Sequence, residues 1–232
     1  MSDVMDQATL EDRTGVSFVS WLHRRDGTQL AETIRPGSRA DASQWMSQVQ
    51  PDIAMDEARA DCDWDWPARV GVNNTLRAMR MTGEYFVITA VSDLAQAAIP
   101  IGLMTVFGRP SFIPNPQQDC IVIWHMSAAP RRFLTRHFGE GREPRGIGHA
   151  LIDTAISRAF QQGMEGRVTL HATPDGGEKL AQWCSVALRM HRLTINDPLP
   201  RMAIYGKNDG RWFYFTTPSA LQYSQGHDAQ RK

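Results

Sequence analysis

The sequence predicts a mixed α/β (α+β) domain, in which helices flank a mostly antiparallel sheet. Short runs of β-branched and aromatic residues recur in the middle of the chain and are typical of strands. One of them, residues 119–127, is apolar almost throughout, as expected of a central strand buried on both faces. After Gly148 the apolar residues recur every four positions, which is the period of a helix with one buried face.

In chain order, strands and helices alternate irregularly. The three strands at 84–91, 99–107 and 119–127 come first, and a loop with three prolines separates the last two. The short connection between the first two favours antiparallel pairing. The remaining predicted elements are a strand at 17–25, helices within 38–82, a helix from Gly148 to about Gly163, a strand at 167–172, a helix at 177–188 and a hairpin turned at Asp209 and Gly210.

Length and composition indicate one domain. The chain has 232 residues, of which 42% are hydrophobic, and this is enough for one sizeable core. We expect a single domain at 16–222, with its core at 84–216 and a helical N-terminal part at 38–82. The polar ends at 1–15 and 223–232 offer few apolar side chains to bury and are predicted to be disordered tails.

Charge and cysteine content exclude several classes of partner. With 25 basic and 25 acidic side chains, there is no electrostatic reason to expect nucleic acid or a membrane surface. No apolar run approaches the ~20 residues that cross a bilayer, and the polar start lacks the order of a signal peptide. Three widely spaced cysteines predict neither a disulfide framework nor a metal site. We therefore expect a cytoplasmic protein without a metal, and either a monomer or a homodimer.

Two glycines stand directly before the long helix, in the sequence EPRGIGHALI. The first N–H groups of a helix have no internal partners and carry partial positive charge, and glycine lets a phosphate approach them closely. A tight turn without a ligand would use the same glycines. A dinucleotide-binding loop would need a third glycine and an acidic residue on the next strand, and a P-loop would need Gly-Lys-Ser/Thr; neither pattern is present.

The same stretch resembles motif A of the GNAT superfamily of N-acetyltransferases. In that family a strand ends in a pattern like L-x-V-x-P, and a Q/R-x-x-G-x-G/A loop leads into a long helix. This sequence has MSAAP and then EPRGIGHALIDTAISRAFQQG, and its WCSVALRM segment is similar to the family's F-Y-x-x-x-G-F/M helix end. The resemblance covers about residues 84–216. It implies a GNAT-like sheet splayed at the central strand.

The resemblance also implies a function and a set of contacts. The implied function is transfer of an acetyl group from acetyl-CoA directly to an amine of an unidentified small molecule or protein. A non-catalytic acyl-CoA-binding sensor or interaction module on the same fold remains the alternative. Pantetheine would meet the backbone of Met126, Ser127 and Ala128. The groups implied for the pyrophosphate are Arg142, Arg145, Gly146, Ile147, Gly148 and His149.

The family pattern is not matched everywhere. Glu143 stands where the family prefers Gln or Arg, and the link after Pro130 is longer than usual. This basic link, at 131–142, shows no apolar periodicity, and we expect it to be mobile until CoA binds. The general-acid tyrosine of many members would align with Ser185, or with Cys184 after a one-residue slip.

Direct transfer to an amine can use a base and an acid. A base works best with a pKa near the working pH, which favours His125 on the central strand. The same histidine could instead simply pack the sheet. Cys184 or Ser185 could supply the acid, although a cysteine on a helix is commonly core packing. Positioning alone can supply ~7–11 kcal/mol of such a barrier, so the reaction can proceed without either group.

Overall fold

The computed structural model describes residues 22–28, 30, 32–77, 82–202 and 205–227, without the side chains of 72–77 and 82. The tail predicted at 1–15 and most of the strand predicted at 17–25 lie outside these residues. Residues 23–24 of that predicted strand do form a strand, and it belongs to a small separate sheet.

A seven-stranded sheet forms the centre of the described chain. Its order is β2-β3-β4-β5-β7-β9-β8, and β1 pairs with β6 separately. Among these pairs β5–β7 is parallel and the others are antiparallel, which confirms the mixed, mostly antiparallel sheet. The strands are β1 (His23–Arg24), β2 (Glu32–Pro36), β3 (Thr82–Val91), β4 (Ala98–Phe112), β5 (Asn115–Ala128), β6 (Pro144–Arg145), β7 (Val168–His171), β8 (His191–Arg192) and β9 (Trp212–Phe215).

Helices cover both faces of this sheet. The helices are α1 (Arg39–Gln48), α2 (Gln50–Ile53), α3 (Trp66–Arg77), α4 (Arg131–Phe138), α5 (Ile147–Gln161), α6 (Gly177–Gln182) and α7 (Thr217–Gln225). A π-helical turn, Trp183–Ala187, continues α6. On β3, the Tyr85 ring lies 6.4 Å from the Trp66 ring of α3, whereas Ile88 and α5 both flank Gly102. Because side chains alternate along a strand, α3 and α5 lie on opposite faces.

Helix α5 follows the predicted pattern. Ile147, Leu151 and Ala155 are buried on its inner side, and the helix ends at Gln161, two residues before Gly163. The predicted helix is thus confirmed, and it begins at Ile147, one residue earlier than the glycine pattern indicated.

The sequence-based prediction of a loop is wrong in two places. The proline-rich segment is a tight hairpin, because β4 runs to Phe112 and β5 already begins at Asn115. Phe112 and Ile113 are buried there, so their packing outweighs the prolines. The basic link after Pro130 contains α4, whose Phe133, Leu134 and Phe138 are buried.

The C-terminal elements also differ from the prediction. Strand β9 pairs with β8 at His191–Arg192, and the described residues 205–208 before the turn at Asp209 form no strand. Helix α7 reaches Gln225, beyond residue 223, where the disordered tail was predicted to begin. Thr216 caps the start of this helix, and the Tyr223 ring packs 5.2 Å from Phe215. Strand β2 was not predicted either.

Candidate active site

The central sheet opens where β5 and β7 part. Their parallel pairing runs from Ile121 with Val168 to Ile123 with Leu170 and then stops, although β5 continues to Ala128. A β-bulge lies at the same level, because the pairing of β4 with β5 skips Trp124. A bulge bends its strand and increases the local twist. The predicted splay is therefore present at Trp124.

A cleft of about 1070 Å³ lies over this opening. The splayed end of β5 forms its floor, the segment from Asp56 to Arg69 forms one wall, and the end of β7 with the segments that follow it forms the other. The side chains that line the cleft and that the following paragraphs use are Arg59, Asp61, Trp64, Arg69, His125, His171, Trp183, Cys184 and Asp209.

Main-chain groups of β5 face the cleft. The Ala129 N–H donates to Ile101 O on β4 at 2.9 Å. Alternate residues of a strand present their main-chain groups to opposite edges, so Met126 and Ala128 present theirs to the open edge. The Ala128 carbonyl already accepts a hydrogen bond from Arg59 Nη2 at 2.9 Å. These groups could bind an extended amide chain.

The intervening residue, Ser127, contributes its side chain instead of its backbone. Its hydroxyl donates to the Asp61 carboxylate, which also binds Arg59 through two hydrogen bonds at 2.7 and 2.8 Å. Ser127 is on the floor of the cleft, and Asp61 and Arg59 are on its wall, so these bonds connect the N-terminal helical part to the end of the central strand.

The glycine loop leads into α5 as the sequence predicts. Gly146 is the N-cap residue with φ of 81°, and no side chain caps this helix end. The first intrahelical bond is donated by Ala150 to Gly146 O, which leaves the preceding N–H groups of Ile147, Gly148 and His149 without a helical acceptor. A Cβ at Gly148 would lie 3.1 Å from the Trp183 ring. This end of α5 could hold a diphosphate.

The two arginines of the loop differ. Arg142 forms two ion pairs, in which its Nη2 lies 3.3 Å from Asp93 Oδ2 and its Nε lies 3.8 Å from Asp26 Oδ2. Arg145 is exposed and forms no ion pair within the described part of the chain. Of the two, Arg145 is the better placed to meet a phosphate.

Glu143, at the position where the family prefers Gln or Arg, is directed into the protein. Its side chain is 5% exposed and accepts a hydrogen bond from Thr135 at 2.9 Å. Its own backbone N–H, Thr135 and Arg131 together lower its pKa to about 2. The carboxylate therefore fastens the loop to α4 and stays charged.

The His149 side chain contacts Tyr223 of α7. Its Nδ1 lies 2.8 Å from the Tyr223 hydroxyl, and the two rings are stacked. Burial, and then the nearby His227, lower its pKa. Its backbone N–H remains at the helix end, as described above.

His125 lies in the cleft as a neutral imidazole. Arg69 Nη1 donates to Nε2, so Nδ1 carries the proton and donates to Thr105 Oγ1 at 3.1 Å. The Trp64 ring packs against the imidazole at 4.9 Å. Burial, and then the Arg69 charge, lower its pKa to about 3.

The two candidate acids are consecutive residues with different surroundings. Cys184 lines the cleft but is fully buried, and burial raises its pKa to about 12. The Ser185 hydroxyl turns back onto its own helix and donates to Ala181 O at 3.1 Å. The fold thus places His125 and Cys184 in the lining of one cleft. Ser185 is not part of that lining.

Sequence reasoning missed two groups of the opposite wall. His171 ends β7, and its Nε2 lies 3.0 Å from both carboxylate oxygens of Asp209. Asp209 was noted only as a turn residue. A histidine at the end of a strand beside the splay was the available signal.

Neither a metal site nor a membrane span is present in the described ranges. Within them no group of three or more His, Cys, Asp or Glu side chains is arranged to hold a metal ion. None of the helices in the same ranges combines the length and apolar character needed to cross a bilayer.

No protein-family model matches the chain, and no curated protein does. An acetyltransferase of the GNAT family from Staphylococcus aureus Mu50 has a similar structure, with a TM-score of 0.51 over 81% of this chain and 99% of that one, at 14% identity. At this identity the likeness shows that the two chains share a fold. In this chain the splay, the glycine loop and α5 follow one another in the order that the sequence resemblance implies.

Two further solved structures resemble this chain with TM-scores below 0.5. RimJ from Mycobacterium smegmatis, in complex with CoA-disulfide, has a TM-score of 0.46 at 14% identity, over 84% of this chain and 88% of that one. YncA from Salmonella typhimurium, with acetyl-CoA, has a TM-score of 0.40 at 15% identity, over 79% and 90%.

Proposed function

We propose that this protein is an acetyl-CoA-dependent N-acetyltransferase of the GNAT superfamily. The carrying observation is the splay itself, where the main-chain groups of Met126 and Ala128 face a cleft beside an uncapped helix end. In this proposal the strand edge binds pantetheine, and the N–H groups of Ile147, Gly148 and His149 with Arg145 bind the pyrophosphate. The acceptor amine enters on the face of α3, opposite α5.

The chemistry of the cleft supports direct transfer without an acid from Cys184. A thiolate leaving group has a pKa of ~8.5 and would not take a proton from a thiol whose pKa is about 12. The CoA thiolate can instead leave in its ionised form and equilibrate with the proton of bulk solvent after it departs. Ser185, whose hydroxyl is bound to its own helix, offers no alternative.

His125 is equally unsuited to be the base. A group with a pKa of about 3 has little affinity for the proton of an attacking amine, and Arg69 occupies the lone pair that would receive it. We assign to His125, Arg69 and Trp64 the shaping of the cleft wall. Positioning of the amine against the thioester supplies much of the rate, ~7–11 kcal/mol at best.

The same two observations favour the second candidate, a non-catalytic acyl-CoA-binding module. A domain that only binds acyl-CoA needs the strand edge and the helix end, and it needs neither a base nor an acid. The two functions differ only in whether thiol is released.

Two measurements test the proposal. Titration calorimetry with CoA, and with ATP as the matched comparison, should show binding of CoA and weaker or no binding of ATP. Free CoA thiol should then appear when acetyl-CoA is mixed with benzylamine, tryptamine, spermidine or a lysine-containing peptide. CoA binding without thiol release would favour the binding module, and absence of CoA binding would contradict both functions.

A further inference from the structure

A histidine–carboxylate pair lies in the cleft on the side of β7. His171 and Asp209 both line the cleft, and 30% and 35% of their side chains are exposed. Nε2 of the imidazole lies 3.0 Å from each carboxylate oxygen. His171 stands one residue past Leu170, the last residue of β7 that pairs with β5, and is therefore at the point where the strands part.

Both members of the pair are held by neighbouring structure. His171 pairs with Trp212 of β9, and the two rings pack 4.8 Å apart. Asp209 lies in the turn before β9, where its Oδ1 also accepts from the Arg211 N–H at 2.9 Å. Sheet pairing therefore positions the imidazole, and the turn before β9 positions the carboxylate.

The carboxylate fixes which imidazole nitrogen is free. Burial raises the pKa of Asp209, the hydrogen bonds from His171 and the Arg211 backbone lower it, and the net direction is downward. An ionised Asp209 accepts the Nε2 proton of a neutral imidazole, so the lone pair is on Nδ1. In the described part of the chain Nδ1 forms no hydrogen bond. The other charged or titratable side chains along the cleft are Asp56, Arg59, Asp61, Arg69, His125, Asp175, Lys179, Cys184, Tyr205 and Lys207.

We propose that His171 is the general base of the transfer reaction and that Asp209 is its positioning residue. The proposal rests on the proposed acetyltransferase function and deepens it. The two histidines of the cleft, His125 and His171, differ in whether a ring nitrogen has a lone pair available to accept a proton. Arg69 donates to the free nitrogen of His125, whereas Asp209 leaves a lone pair of His171 available and stabilises the imidazolium that forms.

The step balances without a further reactant. The amine nitrogen forms a bond to the thioester carbonyl carbon, and Nδ1 of His171 takes the proton that the nitrogen loses. The tetrahedral species then collapses, the C–S bond breaks, and the CoA thiolate leaves. The thiolate takes a proton from water, and the imidazolium returns its proton to solvent.

The test compares three variants with the wild-type protein. His171→Gln removes the base, Asp209→Asn removes the negative charge, and His191→Gln is the matched control, because His191 is exposed on β8 and stacks on Tyr214 outside the cleft. CoA affinity is measured by calorimetry. The thiol-release rate is measured from pH 5 to 10 with the fastest of the four amines, on protein shown by circular dichroism to be folded.

His171→Gln should lower kcat/KM about 10²–10⁴-fold at neutral pH, with CoA affinity unchanged. The acidic limb of the pH profile, where the imidazole becomes protonated, should disappear, and added imidazole should restore part of the rate. Asp209→Asn should move that limb to lower pH, because an imidazolium without a carboxylate beside it loses its proton more readily. His191→Gln should match the wild type.

Two results would overturn the assignment, and they are distinguishable. If wild type releases thiol and His171→Gln does so at the same rate with the same pH profile, His171 is not the base and the transferase function stands. If wild type binds CoA but releases no thiol with any of the amines, the base and the transfer activity both fail.

Discussion

His125 is a neutral imidazole with both ring nitrogens occupied, by Arg69 on one side and Thr105 on the other. Its pKa is lowered from 6.5 to about 3, chiefly by burial. At a pH between about 3 and 6.5, His125 is protonated in the unfolded chain and neutral in the folded protein. The stability contributed by the neutral ring is therefore present above pH 6.5 and is lost as the pH falls towards 3.

We predict that His125→Gln removes this pH dependence. In the wild type the residue contributes a fall in the free energy of unfolding of about 1.4 kcal/mol for each pH unit below 6.5. Glutamine can still accept a hydrogen bond from Arg69 and does not titrate. The free energy of unfolding of the variant should therefore fall less steeply with falling pH, by about 1.4 kcal/mol per pH unit. Urea unfolding at pH 4.5, 5.5, 6.5 and 7.5 measures the difference. Parallel curves for both proteins would contradict the neutral, buried imidazole.

The chemistry of the cleft is decided by residues far apart in sequence. The position of His125 on a central strand was predictable from the apolar run around it. Its partner Arg69 comes from α3, and Asp209 reaches His171 only because β9 pairs with β7. These contacts depend on non-local packing, so the sequence pattern predicted the histidine and could not predict which nitrogen is free.

At the level of elements, α5 has a glycine in the left-handed region next to each end. Gly146 has φ of 81° before the helix, and Gly163 has φ of 75° after it. An alanine at either position costs about 1–2 kcal/mol of backbone strain. The two sites thus carry similar strain, and only the first lies at the proposed phosphate site.

We predict that Gly146→Ala and Gly163→Ala separate strain from ligand binding. Both should lower the free energy of unfolding by a similar amount. Gly146→Ala should in addition weaken CoA binding by about tenfold or more, at least 1.4 kcal/mol, because the N–H groups of the loop shift away from the phosphates. Calorimetry with CoA on both variants measures this. Equal affinities in the two variants would remove the phosphate site from the start of α5.

The Asp52 carboxylate links helix α4 to the N-terminal part through two arginines. Asp52 is 5% exposed in its side chain and accepts from Arg132 at 2.5 Å and from Arg136 at 2.5 Å. The hydrogen bonds from these two arginines lower its pKa against the opposing effect of burial, which is the largest single cause. The carboxylate is thus charged and central to the contact.

We predict that Asp52→Asn loosens α4. The free energy of unfolding should fall by about 1–3 kcal/mol, the cost of leaving charged hydrogen bonds unmade. Amide hydrogen exchange at residues 131–138 should become faster, and exchange in α5 should change little. Glu57→Gln, which changes an exposed carboxylate nearby, is the control and should leave both unchanged. An equal response of the whole protein would show that α4 does not open separately.

Elements were predictable where one local pattern dominates. The period-four apolar residues of α5 and the apolar run of β5 each specify their element within a few residues. In α4, basic side chains surround Phe133 and Phe138, and the apolar residues are too few in one short helix to show a period. The burial that stabilises α4 comes from the rest of the protein, which a local pattern does not contain.

On the scale of the whole molecule, the described core falls into two clusters. Cys184 belongs to the large cluster around α5, and Cys120 belongs to a smaller one with Tyr205 and Trp212. Cys62 is partly exposed. Burial raises the pKa of Cys120 to about 11 and that of Cys184 to about 12.

We predict that one of the three thiols reacts readily in the native protein. Thiolates are the reactive form, so Cys62 should react with dithionitrobenzoate first, and Cys120 and Cys184 at least about 10³-fold more slowly, through global opening. Cys62→Ser should remove the fast phase, and denaturant should make all the remaining thiols react together. A second fast thiol in the native protein would show that one of the two clusters opens by itself.

The small pairing of β1 with β6 links the start of the described chain to the glycine loop. His23 pairs with Arg145, Arg25 N–H donates to Glu143 O at 3.0 Å, and Arg24 binds Asp93. Ordering of the loop and docking of β1 therefore share the same hydrogen bonds. Thermodynamic linkage makes the coupling reciprocal. A change that releases β1 lowers the affinity of the glycine loop for a ligand, and binding of that ligand favours the docked state of β1 by the same factor.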